Sequence, residues 1–314
     1  MADKPTVVVS EPLDDRTLEY LGGRVHVNRI EKEVLGAHIG QADGLIVRTY
    51  THVTRELLDK APRLKVVGRA GVALDNIDVR ECLHRGIQVV HTPAANTLAV
   101  VDYTIRMIIE MNRRFWPISK PMSTKEFLEL RKQLFGRFLS GLTLGVVGAG
   151  RIGSRVGRAA AGLGMNVVYN DIKPIMLDYP ARGLSKEELF AQSDIVTIHV
   201  PLTSLTRHFI NKQTLAQFKK GAQFINAARG GCMVAADIAA ALKSGQLSAA
   251  TVDCHEPEPP SMDYPLYGLE NVILTPHVAA RVPQALAAMC DVVYDVVNVL
   301  EGRPPLYPAE EGSY

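Results

Sequence analysis

The chain has 314 residues, of which 47% are hydrophobic and 22% charged, and its formal net charge is +2. This length suits one large domain or two ordinary ones, and the apolar content supports a sizeable core rather than disorder. Acidic and basic residues are mixed, so no dedicated nucleic-acid surface is expected. Four widely spaced cysteines, Cys82, Cys232, Cys254 and Cys290, form neither a metal-ligand nor a disulfide pattern.

The amino-terminal region leads directly into a short apolar run at residues 7–9 and lacks the apolar core of a signal peptide. Nowhere does the sequence contain an apolar run of about 18 residues, the length that spans a bilayer. Widely separated cysteines suit a reducing compartment. We therefore expect a soluble cytoplasmic protein with no membrane partner and no bound metal.

In the first third of the chain, short β-branched runs alternate with amphipathic segments. The runs occupy residues 6–10, 24–27, 45–48, 65–67 and 87–90. They are typical of buried parallel strands, whereas residues 14–21 and 54–58 have helical spacing. This alternation predicts right-handed βαβ crossovers and a doubly wound sheet.

The pattern changes after Asn96. Residues 97–114 form a long helix-permissive segment that Pro117 ends, and residues 122–138 are charged and helix-prone. A second set of predicted strands begins at Leu142 and continues at residues 166–169, 195–199, 222–226, 249–253 and 272–275. Residues 283–300 have the apolar period of one further long helix.

These elements predict an α/β protein with two doubly wound parallel-sheet domains. We expect a Rossmann-type domain, residues 97–283, inserted into a flavodoxin-like domain made of residues 1–96 plus 284–314. The return of the last helix to the first domain is inferred from topology.

A glycine-rich loop, Gly148-x-Gly150-x-x-Gly153, follows a predicted strand and opens a helix rich in Ala and Gly. In a dinucleotide-binding loop these glycines permit a tight turn, approach of the pyrophosphate and close helix packing, while the helix amino terminus attracts phosphate. Arg151 can add a charged contact. Asp171, at the end of the next strand, can bind ribose hydroxyls and would repel a 2′-phosphate, which predicts NAD rather than NADP. The alternatives are a glycine turn without a ligand and a methyltransferase that binds S-adenosylmethionine.

Three polar residues follow this loop in order: Arg229, Glu258 and His277. A cation can hold an anionic substrate and an imidazole can exchange a proton with an alcohol, so the set indicates hydride transfer to or from a hydroxy acid. A methyltransferase gives no reason for these residues. Taken singly, the arginine could also be a salt-bridged surface residue and the histidine a solvated or core residue.

The chain resembles the D-isomer-specific 2-hydroxyacid dehydrogenases over nearly its whole length, and most closely their D-3-phosphoglycerate dehydrogenase branch. The motifs that carry the resemblance lie at residues 69–78, 96–97, 199–203, 226–231, 253, 258–260 and 274–277. The resemblance implies that Arg229 grips the carboxylate and keto oxygen of the substrate. It makes His277 the general acid/base, oriented and kept protonated by Glu258.

The resemblance also implies which residues contact the cofactor and the substrate. The residues assigned to NAD are Gly148, Gly150, Arg151, Ile152, Gly153, Asp171, His199, Val200, Pro201, Thr206, Ala227, Asp253 and Ala279. The residues assigned to the substrate are Arg48, Arg69, Val72, Ala73 and Asn96.

The chain departs from the family pattern at several positions, among them Ala73 in place of a usual glycine, and two of the departures lie near the catalytic candidates. Residues 253–255 read Asp-Cys-His where Asp-Val-Phe is usual, which leaves Glu256 and Glu258 as candidate orienting acids. The spacing from the aspartate selects Glu258. A small hydroxyl residue common after the histidine is Arg281 here, either a contact for a second anionic group of the substrate or a solvated residue near a helix end.

Arg48 and Arg69 match positions near the substrate phosphate in phosphoglycerate dehydrogenases. The resemblance therefore implies 3-phosphoglycerate or phosphohydroxypyruvate as substrate, and a place in serine biosynthesis. Alternatively, the two arginines pair with acids such as Asp43 or Asp75. A glyoxylate or hydroxypyruvate reductase is the second hypothesis, and a non-catalytic NAD(H)-sensing protein similar to a corepressor is the third.

Residues 104–138 resemble the dimer-forming arm of the family, so a homodimer is expected. No segment follows the last predicted helix that could form the regulatory serine-binding domain of some relatives, and feedback through such a domain is not expected.

Overall fold

The computed structural model describes residues 4–309. This part of the chain divides into two compact units, residues 4–96 with 281–309 and residues 97–280. Each unit is an α/β fold with its own sheet. No helix among the described residues is long and apolar enough to cross a membrane.

The strands and helices are short and alternate along most of the chain. The strands are β1 (Thr6–Val9), β2 (His26–Arg29), β3 (Gly44–Val47), β4 (Val66–Arg69), β5 (Gln88–His91), β6 (Thr143–Val147), β7 (Asn166–Asn170), β8 (Arg182–Gly183), β9 (Ile195–Ile198), β10 (Ala222–Asn226), β11 (Leu247–Val252) and β12 (Val272–Leu274). The helices are α1 (Asp15–Gly22), α2 (Leu35–His38), α3 (Arg55–Asp59), α4 (Val79–His84), α5 (Thr97–Asn112), α6 (Thr124–Gln133), α7 (Gly153–Gly162), α8 (Lys186–Gln192), α9 (Lys212–Leu215), α10 (Ala235–Ser244), α11 (Pro283–Cys290) and α12 (Val292–Leu300).

In the first unit, five parallel strands lie in the order β2-β1-β3-β4-β5. This is the flavodoxin-like order. Alternate residues of the strands point to opposite faces of the sheet. One face packs with α12 through Val292, Val293, Val296 and Val297, and the other packs with side chains of α2, α3 and α4. The prediction of a doubly wound parallel sheet is confirmed here.

In the second unit, seven parallel strands lie in the order β12-β11-β10-β9-β6-β7-β8. Counted from β6, the order is that of a Rossmann fold with one strand added beyond β11. Helices α5 and α7 cover one face, and α8, α9 and α10 cover the other. The strand order reverses between β6 and β9, and the carboxyl ends of strands at such a switch point are where ligands bind in these folds.

Two local predictions were wrong. Edge strand β8 was missed because its two exposed residues carry no apolar pattern. The predicted single helix at residues 283–300 is instead two helices that meet at Asp291. There the backbone tightens into bonds that span three residues, from Asp291 to Ala288 and from Tyr294 to Asp291. The Asp291 carboxylate pairs with Arg16 at 2.6 Å, which holds the junction against α1.

Candidate active site

The glycine-rich loop connects β6 to α7, and each glycine meets a different steric demand. Gly148 has φ of +89°, and a Cβ there would lie 2.6 Å from the His199 carbonyl oxygen. At Gly153 a Cβ would collide with the Gly148 carbonyl. At Gly150 a Cβ would meet no atom within 4 Å. The first and third glycines are therefore required by the fold itself, whereas the second leaves the backbone accessible to a ligand.

The Asp171 carboxylate holds the glycine-rich loop from the end of β7. It accepts hydrogen bonds from the backbone N–H of Ala149 at 2.8 Å and of Lys173 at 2.9 Å. Helix α7 starts at Gly153, and its N-cap residue, Ile152, supplies no side-chain hydrogen bond to the helix amino terminus. Backbone donors at a helix start attract phosphate. The loop, the helix and the acid therefore fit a dinucleotide such as NAD.

His199 follows β9, directly beside the loop, and is partly buried. Its Nε2 hydrogen-bonds the Thr197 hydroxyl at 3.0 Å, and its Nδ1 has no partner among residues 4–309. Burial lowers the pKa of His199 to about 4, so the imidazole is neutral at physiological pH. An unpartnered buried polar atom at this position suits a ligand contact. The following loop closes on itself, because the Thr206 hydroxyl donates to the Pro201 carbonyl at 2.6 Å. Val200 is partly buried against the core of the unit.

Three residues assigned to the cofactor from sequence come together in one small apolar cluster. Ala227 and Ala279 are buried with Val100, and Ile152 packs against them. The cluster joins the glycine-rich loop to the loop after β12. Sequence positions far apart therefore line one region of the unit.

His277 and Glu258 form the charged pair of this region. The imidazole Nδ1 lies 2.6 Å from Glu258 Oε1, and the two side chains are 36% and 40% exposed. Hydrogen bonds to the Cys254 side chain and to the Glu258 carboxylate raise the pKa of His277 to about 10. Burial, the largest single influence, would raise the pKa of Glu258, but the hydrogen bond and charge of His277 together with the His255 backbone N–H hold that pKa below its ordinary value. The pair is therefore an imidazolium and a carboxylate at neutral pH.

The backbone that carries His277 is strained, with φ of +53° at that residue. A non-glycine residue in this conformation costs roughly 1–3 kcal/mol and persists only when its surroundings impose it. Asp253, fully buried, imposes it by accepting bonds from the Thr275 hydroxyl at 2.6 Å, Val278 N at 2.8 Å and Ala279 N at 2.9 Å. The His277 N–H also donates to the Asp253 carbonyl at 2.9 Å. Asp253 therefore fixes the whole loop around His277.

Arg229 follows β10 and is half-buried. Its Nη1 donates to the Ala228 carbonyl at 2.6 Å, and its own carbonyl accepts a bond from Asn226 Nδ2 at 2.9 Å. Gly230, the next residue, leaves no room for a side chain because a Cβ would collide with the His255 carbonyl. The arginine is therefore held at the carboxyl end of the sheet, in the same unit as His277 and Glu258.

Glu256, the other candidate acid, has different partners. Its carboxylate lies 2.8 Å from Arg207 and 2.6 Å from His208. The structure therefore places Glu258, and not Glu256, against His277.

The residues assigned to the substrate at the start of the chain lie in the first unit. Arg48 follows β3 and donates from Nη1 to the Pro12 carbonyl at 3.0 Å, and Arg69 ends β4. Asp43, considered as a partner for them, pairs instead with Arg63 at 3.3 Å and with Lys65 at 3.4 Å. Adjacent parallel strands bring the two arginines to the same edge of the sheet.

The remaining substrate candidates lie around the loop after β4. The Arg69 guanidinium occupies the space that a Cβ on Gly71 would fill, next to Val72 and Ala73. The Val72 carbonyl accepts a bond from His91 Nδ1 at 2.7 Å. Asn96 Oδ1 is buried and has no partner within the described part of the chain. Arg281 is exposed ahead of α11.

Sequence reasoning missed one part of the site. The Tyr103 hydroxyl, on α5, bonds the Thr275 hydroxyl at 2.6 Å and so joins the Asp253 network. Nothing in the sequence marks Tyr103, since it falls within the apolar period of a helix. Thr275 was visible only as the neighbour of the Pro-His pair.

The sheet order, the glycine-rich loop and the charged residues around it define the dinucleotide-binding class of α/β oxidoreductase folds. Residues 105–279 match the family described as D-isomer specific 2-hydroxyacid dehydrogenase, NAD binding domain. The chain belongs to this family, and its cofactor is NAD.

Individual relatives agree with this assignment. A D-3-phosphoglycerate dehydrogenase of Methanocaldococcus jannaschii is 39% identical over 95% of this chain, which spans only 58% of that relative's length. A hydroxypyruvate reductase of Thermotoga maritima is 35% identical over 89% of this chain and 92% of its own. The D-lactate dehydrogenase of Aquifex aeolicus, solved with NAD and lactic acid, superposes with a TM-score of 0.80 at 29% identity, covering 95% of this chain and 96% of its own.

Proposed function

We propose that this protein is an NAD-dependent dehydrogenase that interconverts a D-2-hydroxy acid and its 2-keto acid. The observation that carries the proposal is the His277–Glu258 pair at 2.6 Å, in the same unit as a loop that fits a dinucleotide. Ala279, two residues beyond the histidine, packs with Ile152 of that loop. The acid/base pair therefore lies close to the cofactor region.

When bound, NAD supplies hydride transfer at C2 of the substrate, and the residues of the chain bind the substrate and move the proton. The Arg229 guanidinium presents a planar set of donors to the carboxylate and keto oxygen. Because Glu258 occupies Nδ1 of His277, proton exchange with the oxygen at C2 is assigned to Nε2.

The raised pKa of His277 decides its protonation state. At neutral pH the imidazole carries a proton, so it donates that proton during reduction and recovers one during oxidation. Glu258 holds the ring in one orientation and stabilises its charged form. Backbone N–H groups at Val72 and Ala73 are assigned to the substrate carboxylate.

The substrate we propose is phosphohydroxypyruvate with 3-phosphoglycerate as its reduced partner, which would place the enzyme in serine biosynthesis. One feature supports this choice: Arg48 follows β3 and Arg69 ends the adjacent strand β4, so both arginines lie at the same edge of the sheet. The identity to named phosphoglycerate dehydrogenases supports it as well.

Reduction of hydroxypyruvate or glyoxylate is the second candidate. The specific observation in its favour is the match to the Thermotoga maritima hydroxypyruvate reductase over nearly the full length of both chains. Such an enzyme would use the same Arg229, Glu258 and His277 and differ in the contacts for the substrate side chain.

NADH oxidation with phosphohydroxypyruvate, hydroxypyruvate and glyoxylate compared side by side tests these proposals. We expect the phosphorylated acid to be preferred, and Arg69→Ala to raise its KM far more than the KM for glyoxylate. Arg63→Ala is the matched control, since it removes a cation of the same unit that pairs with Asp43. Equal effects of Arg69→Ala on both acids would remove the phosphate assignment, and NADH binding without turnover would favour an NAD(H) sensor.

We also propose that the protein is a homodimer. Apolar side chains stay exposed along residues 115–138, among them Phe115 at 75%, Phe135 at 89% and Phe138 at 82%. Phe115 also lines a groove of about 850 Å³ in which apolar residues such as Ile109 and Leu134 alternate with charged residues of α5 such as Arg106 and Glu110. An apolar surface this extended favours association.

Sedimentation or light scattering tests the dimer. We expect twice the monomer mass for the natural chain and monomer mass for the double variant Phe135→Asp, Phe138→Asp. Met262→Asp, at another exposed apolar residue, is the control. A monomeric natural chain would contradict the proposal.

A further inference from the structure

His255 occupies a position where the family usually carries phenylalanine, and it lies among the three catalytic candidates. Its backbone carbonyl faces Gly230, next to Arg229, so closely that no Cβ fits there. Its backbone N–H donates to the Glu258 carboxylate. Its ring Nε2 lies 2.9 Å from the carbonyl of Thr275, two residues before His277.

The ring of His255 has a defined hydrogen-bonding state. A carbonyl oxygen accepts only, so Nε2 carries a proton and donates to Thr275. Nδ1 faces the Tyr264 hydroxyl at 3.3 Å, with the two rings edge to face at 5.4 Å. Burial raises the pKa of Tyr264 to about 12, so this phenol keeps its proton. A phenylalanine here would pack against Tyr264 but remove the ring donor, and the Thr275 carbonyl would keep only its bond from the His277 backbone N–H at 3.0 Å, which lies within the same loop.

The hydrogen bond from the His255 ring to the Thr275 carbonyl matters because the backbone at His277 is strained. The segment from Thr275 to Ala279 is held through Asp253 on one side and through the Thr275 carbonyl on the other. Loss of the hydrogen bond at the Thr275 carbonyl would let the strained backbone at His277 relax, because that conformation costs free energy. Relaxation would lengthen the 2.6 Å contact between His277 and Glu258.

We infer that His255 is a positioning residue: its ring, through the Thr275 carbonyl, holds His277 against Glu258. This rests on the proposed function, in which His277 exchanges the proton, and it assigns a task to a residue that touches neither substrate nor cofactor. The titratable groups that face the His277 imidazole are Glu258 and Cys254, and those that face His255 are Tyr264 and Glu258.

Three variants isolate the ring's hydrogen bond. His255→Phe removes the donor, His255→Gln offers an amide N–H in its place, and Tyr264→Phe removes only the hydroxyl on the other ring nitrogen. Loss of one net hydrogen bond is worth about 1 kcal/mol, or about fivefold. We expect His255→Phe to lower kcat about fivefold and also to lower the pKa of His277. NADH affinity should not change. His255→Gln should recover most of both quantities, and Tyr264→Phe should change little.

The pKa of His277 is read by NMR titration of ¹⁵N-labelled histidine without substrate, so it reports on this inference even if no acid is turned over. Inactivity with every acid would defeat the proposed function and leave the NMR result standing. The same spectrum of the natural chain should show His255 with its proton on Nε2, which needs no variant to fold. An Nδ1–H tautomer, an unchanged His277 pKa in His255→Phe, or a Gln variant no better than Phe would overturn the inference.

Discussion

Each unit fixes a strand-end loop with one carboxylate, but the two carboxylates lie in different surroundings. Asp253 is fully buried and locks the loop around His277. Glu11 is only partly buried and accepts bonds from the backbone N–H groups of residues 48–51, the loop that begins with Arg48. Burial alone would raise the pKa of Glu11, but these bonds hold that pKa below its ordinary value.

The difference matches the two tasks. A group that exchanges a proton must be held in one geometry, and burial of its anchor provides that rigidity. In the proposed function, the loop at residues 48–51 carries a cation toward a substrate phosphate, and such a loop needs only a defined shape. We therefore expect changes around Asp253 to affect all substrates, and changes around Glu11 to affect only phosphorylated ones.

The largest expected effect comes from His277. His277→Asn should lower kcat about 10²–10⁴-fold for every acid, the usual contribution of a general acid/base, with NADH affinity unchanged. Stopped-flow rates and NADH fluorescence titration measure the two quantities. His208→Asn, at an exposed histidine paired with Glu256, is the control. Turnover that survives in the His277 variant would show that another group supplies the proton.

Glu258→Gln should have the next largest effect, and it depends on pH. Cys254 still faces the imidazole in this variant, so the pKa of His277 should fall toward its ordinary value of about 6.5. A complete return would leave about 3% of the imidazole protonated at pH 8, which sets an upper bound of about 30-fold on the loss in the rate of NADH oxidation. At pH 6 the loss should be small, and the alkaline limb of the rate profile should move to lower pH. An unshifted limb would mean that Glu258 does not set the pKa of His277.

The same pair predicts a pH dependence of stability. Because the folded protein raises the pKa of His277, protonation of this residue adds to the free energy of unfolding. The contribution is complete below the pKa of the unfolded chain, about 6.5, and is lost as pH rises through about 10. Melting curves of the natural chain and Glu258→Gln should therefore converge above pH 10. Curves that stay equally separated from pH 7 to pH 11 would contradict the pairing.

Glu11→Ala should produce a smaller and selective effect. Loss of the acceptor for the loop at residues 48–51 should raise the KM for phosphohydroxypyruvate about fivefold, which corresponds to about 1 kcal/mol. The KM for glyoxylate should not change, and Glu19→Ala, on the exposed face of α1, is the control. An equal rise in KM for both acids would contradict the assignment of different tasks to the two units.

The smallest effect is expected at Glu256. Its partners Arg207 and His208 are about half exposed, and surface ion pairs contribute about 0–1 kcal/mol. Glu256→Gln should keep kcat within about threefold of the natural chain. Compared with Glu258→Gln, the same chemical change two residues away, it separates the role of the charge from that of its position.

The sequence by itself determined the two parallel sheets, because buried β-branched runs and glycine-rich turns report local structure directly. It also identified the glycine-rich loop, Asp171 and the order of Arg229, Glu258 and His277. The sequence did not show the break at Asp291, because the apolar spacing of α11 continues into α12 without interruption. It also did not show the short edge strand β8.

Only the tertiary structure decided which side chains meet. Tyr103, Asp253, His255 and Thr275 are far apart in sequence or have no distinctive neighbours, yet they form one network around His277. The choice of Glu258 over Glu256 likewise depends on which carboxylate faces the imidazole. Hydrogen bonds between distant segments depend on the packing of strand ends, and no local pattern in a sequence records that packing.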